Sequence, residues 1–305
     1  MLGGSVTQGI EMEFRAITPL LVGDWCGKAR CSRKGRNTPS SEGIVLRASE
    51  IKASSRELFR NAAYQLLGGW RSVLKRELIL FGGVDIASPF KIRIQALDYG
   101  EDQSFHDEWK KAYGLFIEKV KFNCGKRGKH VTRMFSHLET GKYDKYVLRN
   151  SHFSVKLIPR PLVLRRISRE LNVDENSILD VYEKSITYSL MLLGIGKRRS
   201  RGMGRLIRSD DGEGMGDPSD LLDEYLRSLG KVLGIGTRPS SRLRIKVLIR
   251  TMERSEVLFT IYACAKRCRR FSDCPRNCFL FVTRDSQYLV GMPLNFHLFK
   301  KGVPD

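Results

Sequence analysis

Apolar and polar residues alternate from Glu11 to Ile17, with Met12, Phe14 and Ala16 set against Glu11, Glu13 and Arg15. A period of two marks a half-buried strand, and Thr18-Pro19 and Gly23 punctuate its end. From about Lys52 to Leu67 the period lengthens, and Leu58, Phe59, Ala62, Ala63 and Leu66 line one helical face before Gly68-Gly69 stops it. Alternation returns at Phe90 to Leu97, where Ile92 and Ile94 stand between Lys91, Arg93 and Gln95, and again at Phe153 to Ile158. A second helix is predicted from Glu175 to Leu193, with Ile178, Tyr182, Ile186, Leu190 and Leu193 on one face. Met203 to Ile207 completes the series as a fourth strand. The order β-α-β-β-α-β is that of the ferredoxin-like split unit, so the predicted class is α+β.

Two domains are expected in 305 residues. The first spans 1–208, with a helical insertion at about 99–149 whose basic tip is Lys126, Arg127 and Lys129. Ser209 to Asp220, acidic and glycine-rich, reads as a linker. The second, smaller α+β domain, 209–305, holds a helix at Leu221 to Leu233 and a strand at Arg242 to Ile249 with one basic face. A second, tandem ferredoxin-like unit is expected there, although one of its helices is missing from the local pattern.

Charge narrows the function. Lys and Arg number 54 against 33 Asp and Glu, a net charge of +21. Such an excess serves a polyanion, because each cation set on a phosphate releases condensed counterions. A membrane surface would want an amphipathic helix with a bulky apolar face, which the pattern does not offer. Met1 to Glu13 lacks the cationic and apolar regions of a secretory leader, and the longest apolar run, Tyr188 to Ile195, is too short to span a bilayer. The expected location is the cytoplasm.

Gly194 to Arg205 reads G-I-G-K-R-R-S-R-G-M-G-R. Gly194, Gly196, Gly202 and Gly204 bracket Lys197, Arg198, Arg199 and Arg201, with Arg205 just after. Glycines let backbone N–H groups approach a phosphate while cations neutralise it. The spacing fits neither a Walker A loop nor G-x-G-x-x-G, since Met191, Arg198, Arg199 and Ile207 occupy required positions. Structural duties as a helix cap and a strand bulge would account for the glycines, but not for five cations in one turn. On the first helix Lys52, Arg56 and Arg60 recur every four residues, a stripe opposite the apolar face that Arg47 and the loop from Lys28 to Arg36 extend.

These segments carry a resemblance. Thr18-Pro19-Leu20-Leu21-Val22-Gly23 resembles the end of the first strand in RAMP superfamily proteins, and Gly194 to Gly204 resembles their glycine-rich loop after the second helix. Arg47, Ser49, Ile51, Lys52, Arg56 and Arg60 match a segment of the first subunit of the type III-B Cmr complex. Ala53, Ser55 and Leu58-Phe59 depart from it, standing where glycine, an apolar residue and tryptophan are usual. The resemblance covers Glu11 to Ile207. It implies two ferredoxin-like folds and a non-catalytic subunit of a CRISPR ribonucleoprotein for antiviral RNA interference. It also implies guide RNA, target RNA and other Cmr subunits as partners, with no membrane. A metal-independent RAMP endoribonuclease processing CRISPR transcripts is the alternative, against which stand about a hundred residues following the loop.

Cys264, Cys268, Cys274 and Cys278 form a spaced array that suits tetrahedral zinc, with free cysteines or disulfides as the alternatives. No cofactor is required by the RNA-binding reading. The five histidines show no paired metal spacing; His130 and His137, beside the basic insertion, are the candidates for acid–base chemistry under the endonuclease reading.

Overall fold

The computed structural model describes residues 9–18, 20–21, 46–100, 111, 147–148, 150–196, 204–209, 218–235, 245–253, 256, 279–282 and 288–293. Strand β1 is Ile10–Ala16, β2 Leu20–Leu21, β3 Phe90–Gly100, β4 Val147–Leu148, β5 Asn150–Pro159 and β6 Leu206–Arg208. Helix α1 is Ala48–Leu67, α2 Trp70–Phe81, α3 Pro161–Leu171, α4 Glu175–Leu192 and α5 Pro218–Leu233. Strands β7 (Ile245–Thr251), β8 (Phe279–Val282) and β9 (Tyr288–Pro293) come after α5.

The main sheet has the order β3-β5-β1-β6, and all its pairings are antiparallel. With α1 between β1 and β3, and α4 between β5 and β6, this is the β-α-β-β-α-β arrangement the pattern predicts. Two helices are additional. Helix α2 follows Gly68, whose φ of 70° ends α1, and α3 is started by Pro161 at its first turn and ended by Asn172 in the left-handed region. Strands β3 and β5 form a long hairpin from Phe90↔Pro159 to Gly100↔Asn150, with a register shift between Ala96 and Asp98. The predicted insertion starts where this hairpin's described arms end. Nearby, Leu20 and Leu21 pair with Leu148 and Val147 as a short ribbon.

One face of the sheet supplies Met12, Phe14, Ala16, Phe153, Val155, Leu157 and Leu206 to the core. Leu58, Phe59, Ala62 and Ala63 of α1 and Ile178, Tyr182, Ile186 and Leu190 of α4 close over it. Each large aliphatic or aromatic side chain among these contributes about 1.5–3 kcal/mol on burial. Tyr182 ties the layers together: its ring stacks 4.7 Å from Phe81 and lies 4.7 Å from Phe90, and its hydroxyl bonds Ser88 at 2.8 Å. Helix α5 joins the same core through Leu222, Tyr225, Leu226 and Leu229, and the Tyr225 hydroxyl meets Ser185 at 2.8 Å. Strands β7, β9 and β8 form a separate antiparallel sheet in that order. No helix among the described residues is long and apolar enough to cross a membrane.

Candidate nucleic-acid interface

The glycine-rich loop leaves and re-enters the fold at one junction. Helix α4 ends with Leu193 N–H and Gly194 N–H both donating to the Ser189 carbonyl at 2.9 Å. Gly194 and Gly196 then adopt φ of 69° and 79°. On the returning side Gly204 has φ 67°, and Ile195 N–H donates to its carbonyl at 2.9 Å. A Cβ on Gly204 would overlap the Ile195 carbonyl oxygen, so glycine is required by the close approach as well as by the backbone angle.

Two further elements hold this base. The Arg205 N–H donates to Thr18 Oγ1 at 2.9 Å, and the Arg205 carbonyl accepts from Ile17 N–H at 2.8 Å and from Thr18 N–H at 3.4 Å. The Thr18 of the strand-end motif is therefore a buried bracket for the loop. From α1, Ser54 Oγ donates to the Gly194 carbonyl at 3.0 Å and makes a longer bond to the Ser189 carbonyl at 3.4 Å. Ser55, at a position where the resembling segment is usually apolar, meets Ser189 Oγ at 3.3 Å and bonds back to the Ile51 carbonyl at 2.9 Å. One polar departure on α1 is thus matched by a serine on α4, which satisfies both hydroxyls in a buried contact.

Residues 197–203 connect the two sides of this junction. Lys197, Arg198, Arg199, Arg201 and Gly202 lie outside the described residues, as do Lys28 to Arg36, Cys264, Cys268, Cys274, Cys278, His130 and His137. Arg205 differs from the expectation that it contacts phosphate. Its side chain is fully buried and its guanidinium donates to the Leu192 carbonyl, the last carbonyls of a helix being a natural partner for a cation. It fastens the loop base and is not offered to a ligand.

The α1 stripe is likewise divided. Arg60 forms a two-pronged pair with Glu77 of α2, through its Nε and, at 2.7 Å, through Nη2. Arg56 donates to the Phe81 carbonyl at 3.0 Å and to the Gly82 carbonyl, capping α2, with its Nε 3.6 Å from Glu77. Both arginines bind α2, and neither faces solvent as an uncommitted charge. Lys52 has no hydrogen-bond or ion-pair partner among the described residues. Burial holds its ammonium below the usual lysine range, and repulsion from Arg56 and Arg160 adds to this. An anion at Lys52 would relieve that repulsion. Arg47, at the N-cap of α1, is exposed, and burial pushes the nearby Glu50 carboxyl up against the opposing pull of Arg47.

Charged and polar side chains dominate the described part of the main sheet's solvent face. Glu11, Arg15, Lys91, Arg93, Gln95 and Lys156 are exposed there, whereas Phe14, Phe90 and Phe153 are buried. Ferredoxin-like RNA binders that read bases need aromatic rings on that face. His152 on the same sheet is satisfied by Glu13 at 3.2 Å and Ser209 at 3.3 Å.

A family model described as the RAMP superfamily matches residues 13–207. Among solved structures, Cmr1 from Pyrococcus furiosus in its apo form aligns with a TM-score of 0.56 at 17% identity, covering 97% of this chain and 91% of that one. A chain of the type III-B Cmr-beta complex bound to cognate target RNA and AMPPnP aligns with a TM-score of 0.48 at 15% identity, covering 86% and 76%. No curated protein matches the sequence.

Proposed function

The chain belongs to the RAMP superfamily, and from that premise we propose that it is a non-catalytic, RNA-binding subunit of a type III-B Cmr ribonucleoprotein. Its role is to hold guide RNA or the guide–target duplex by the phosphate backbone, without reading bases. The observation that carries this reading is the loop junction: the sequence sets four cations between Gly196 and Gly204, both of positive φ, and the flanking residues Gly194 and Arg205 are bonded to Ser54 of α1, to Ser189 of α4 and to Ile17 and Thr18. Glycines admit close approach of backbone N–H groups to a phosphate, and the neighbouring cations neutralise its charge. The fold shared with Cmr1 along nearly the whole chain supports the placement in a Cmr complex, and the exposed Arg15, Lys91, Arg93, Gln95 and Lys156 on the sheet support backbone binding over base readout.

With Arg205 committed to the fold, Lys197, Arg198, Arg199 and Arg201 are the loop's phosphate contacts. Four contacts give a log–log salt slope of about −2.8 on single-stranded RNA. Replacing Lys197, Arg198 and Arg201 with alanine is expected to flatten the measured slope by about 2 units and to weaken unrelated RNA sequences alike. Melting should be unchanged. A triple variant that binds as tightly as the parent protein, with the same slope, removes the loop from the interface.

Guide precursor and target RNA are expected to stay intact on incubation with the protein, with or without EDTA. Products ending in 2′,3′-cyclic phosphate that vanish on His130→Ala or His137→Ala would return the endonuclease reading.

A further inference from the structure

Helix α3 carries a second concentration of positive charge, outside the segments whose periodicity and motifs point to RNA. Its apolar positions Leu164, Ile167 and Leu171 are buried in the core. At 3.6 residues per turn, Arg165, Arg166 and Arg169 fall on the opposite side within an arc of about 100°, and all three are exposed. Arg165 lies 4.0 Å from Glu175, whereas Arg166 and Arg169 have no partner among the described residues. Several other surface cations are paired: Lys184 with Asp180 and Glu224, Arg208 with Glu183, Lys231 with Asp174 and Lys156 with Glu11.

The start of α3 strengthens the feature. Arg160 N–H donates to the Pro89 carbonyl at 2.7 Å, which pins the helix to the foot of β3 beside exposed Lys91. The N-cap, Arg160, makes no side-chain cap bond, and Arg160, Pro161 and Leu162 at this positive end of the helix are exposed. Arg160 also lies close enough to Lys52 for the two charges to repel. All four cations from Arg160 to Arg169 are arginine. Solubility alone would be served equally by lysine, whereas the planar guanidinium fork matches phosphate oxygens two at a time.

We propose that the outer face of α3, with Arg160 and Lys52 at its N-terminal end, is a second track for the RNA phosphate backbone, separate from the glycine-rich loop. The proposal rests on the RNA-binding reading and extends it to a surface that the loop does not include. An anionic membrane is the weaker partner, because the apolar face of α3 is committed to the core and its outer face offers one apolar side chain, Leu162, 83% exposed.

The test is a salt titration of RNA binding by the full chain carrying Arg166→Ala and Arg169→Ala. Two lost contacts should flatten the slope by about 1.4 units and weaken binding about twentyfold at 0.1 M salt. Arg166→Lys with Arg169→Lys should recover most of the slope, since charge is kept. Arg71→Ala with Lys75→Ala, which removes the same charge from the exposed side of α2, should change the slope by less than half as much. If the wild-type chain binds no RNA, the underlying reading and this inference fall together. If wild type binds and the Arg166/Arg169 variant keeps its affinity and slope, the α3 track alone is wrong. Equal losses in the α2 control would reduce the effect to net charge and overturn the track. So would loss of binding to phosphatidylserine vesicles with RNA affinity intact.

Discussion

Gly204→Ala is expected to lower the melting temperature by about 5–6 °C, roughly twice the shift for Gly68→Ala. Both glycines have φ near 70°, and an L side chain in that region costs roughly 1–2 kcal/mol. Nothing lies within 4 Å of a Cβ on Gly68, so that cost is the whole effect. On Gly204 the Cβ overlaps the backbone carbonyl of Ile195, which has no rotamer with which to yield. Relief requires parting Ile195 from Gly204, breaking their hydrogen bond and loosening the Arg205 backbone from Ile17 and Thr18. The sum is about 3–4 kcal/mol, and at roughly 1.5 °C per kcal/mol for a chain this size it gives the stated shift. Thermal melts by circular dichroism decide it. Equal shifts for the two variants would mean that the loop base is not held as described. Because Gly204 carries no charge, Gly204→Ala should also weaken RNA binding with all four loop cations retained, and Gly68→Ala should not.

Glu77→Leu is expected to destabilise the protein by about 3 kcal/mol, and adding Arg60→Met to recover at least half of that. Glu77 is buried, with its side chain 5% exposed, and it faces two guanidiniums that are about one-third exposed. Removing one partner of a buried pair leaves the other charge uncompensated at a cost of about 3–5 kcal/mol. Partial solvent access to the arginines puts this case at the low end. Replacing both members with apolar residues of similar size removes the desolvation penalty along with the attraction, hence the recovery. Urea midpoints at constant m-value measure both variants. Strictly additive losses would show that Arg60 and Glu77 are not coupled.

Much of the scaffold is legible along the chain. The alternation of Met12, Phe14 and Ala16 predicts the buried face of β1, and the Ile178-Tyr182-Ile186-Leu190 stripe predicts that of α4; both faces are buried as predicted. Two helices escape the pattern. Gly68-Gly69 ends α1, but the chain resumes as α2 at Trp70, and a stop signal carries no information about the next element. Helix α3 could have been found from Pro161 at its first turn, Asn172 after its last, and Leu164, Ile167 and Leu171 between arginines.

The β-α-β-β-α-β succession and the concentration of glycine and cations between Gly194 and Arg205 are legible in the chain alone. These are local properties, set by periods of two and 3.6 residues and by the φ freedom of glycine. Which cations find partners inside the fold depends on packing between distant segments. Arg60 is neutralised by a carboxylate 17 residues away, and Arg205 is buried where its backbone meets Thr18, 187 residues earlier. The Ser55–Ser189 contact that brings α1 against α4 spans 134 residues. A charged residue looks the same in sequence whether it faces water or a partner. The difference is a desolvation and pairing energy that exists only once distant segments have packed.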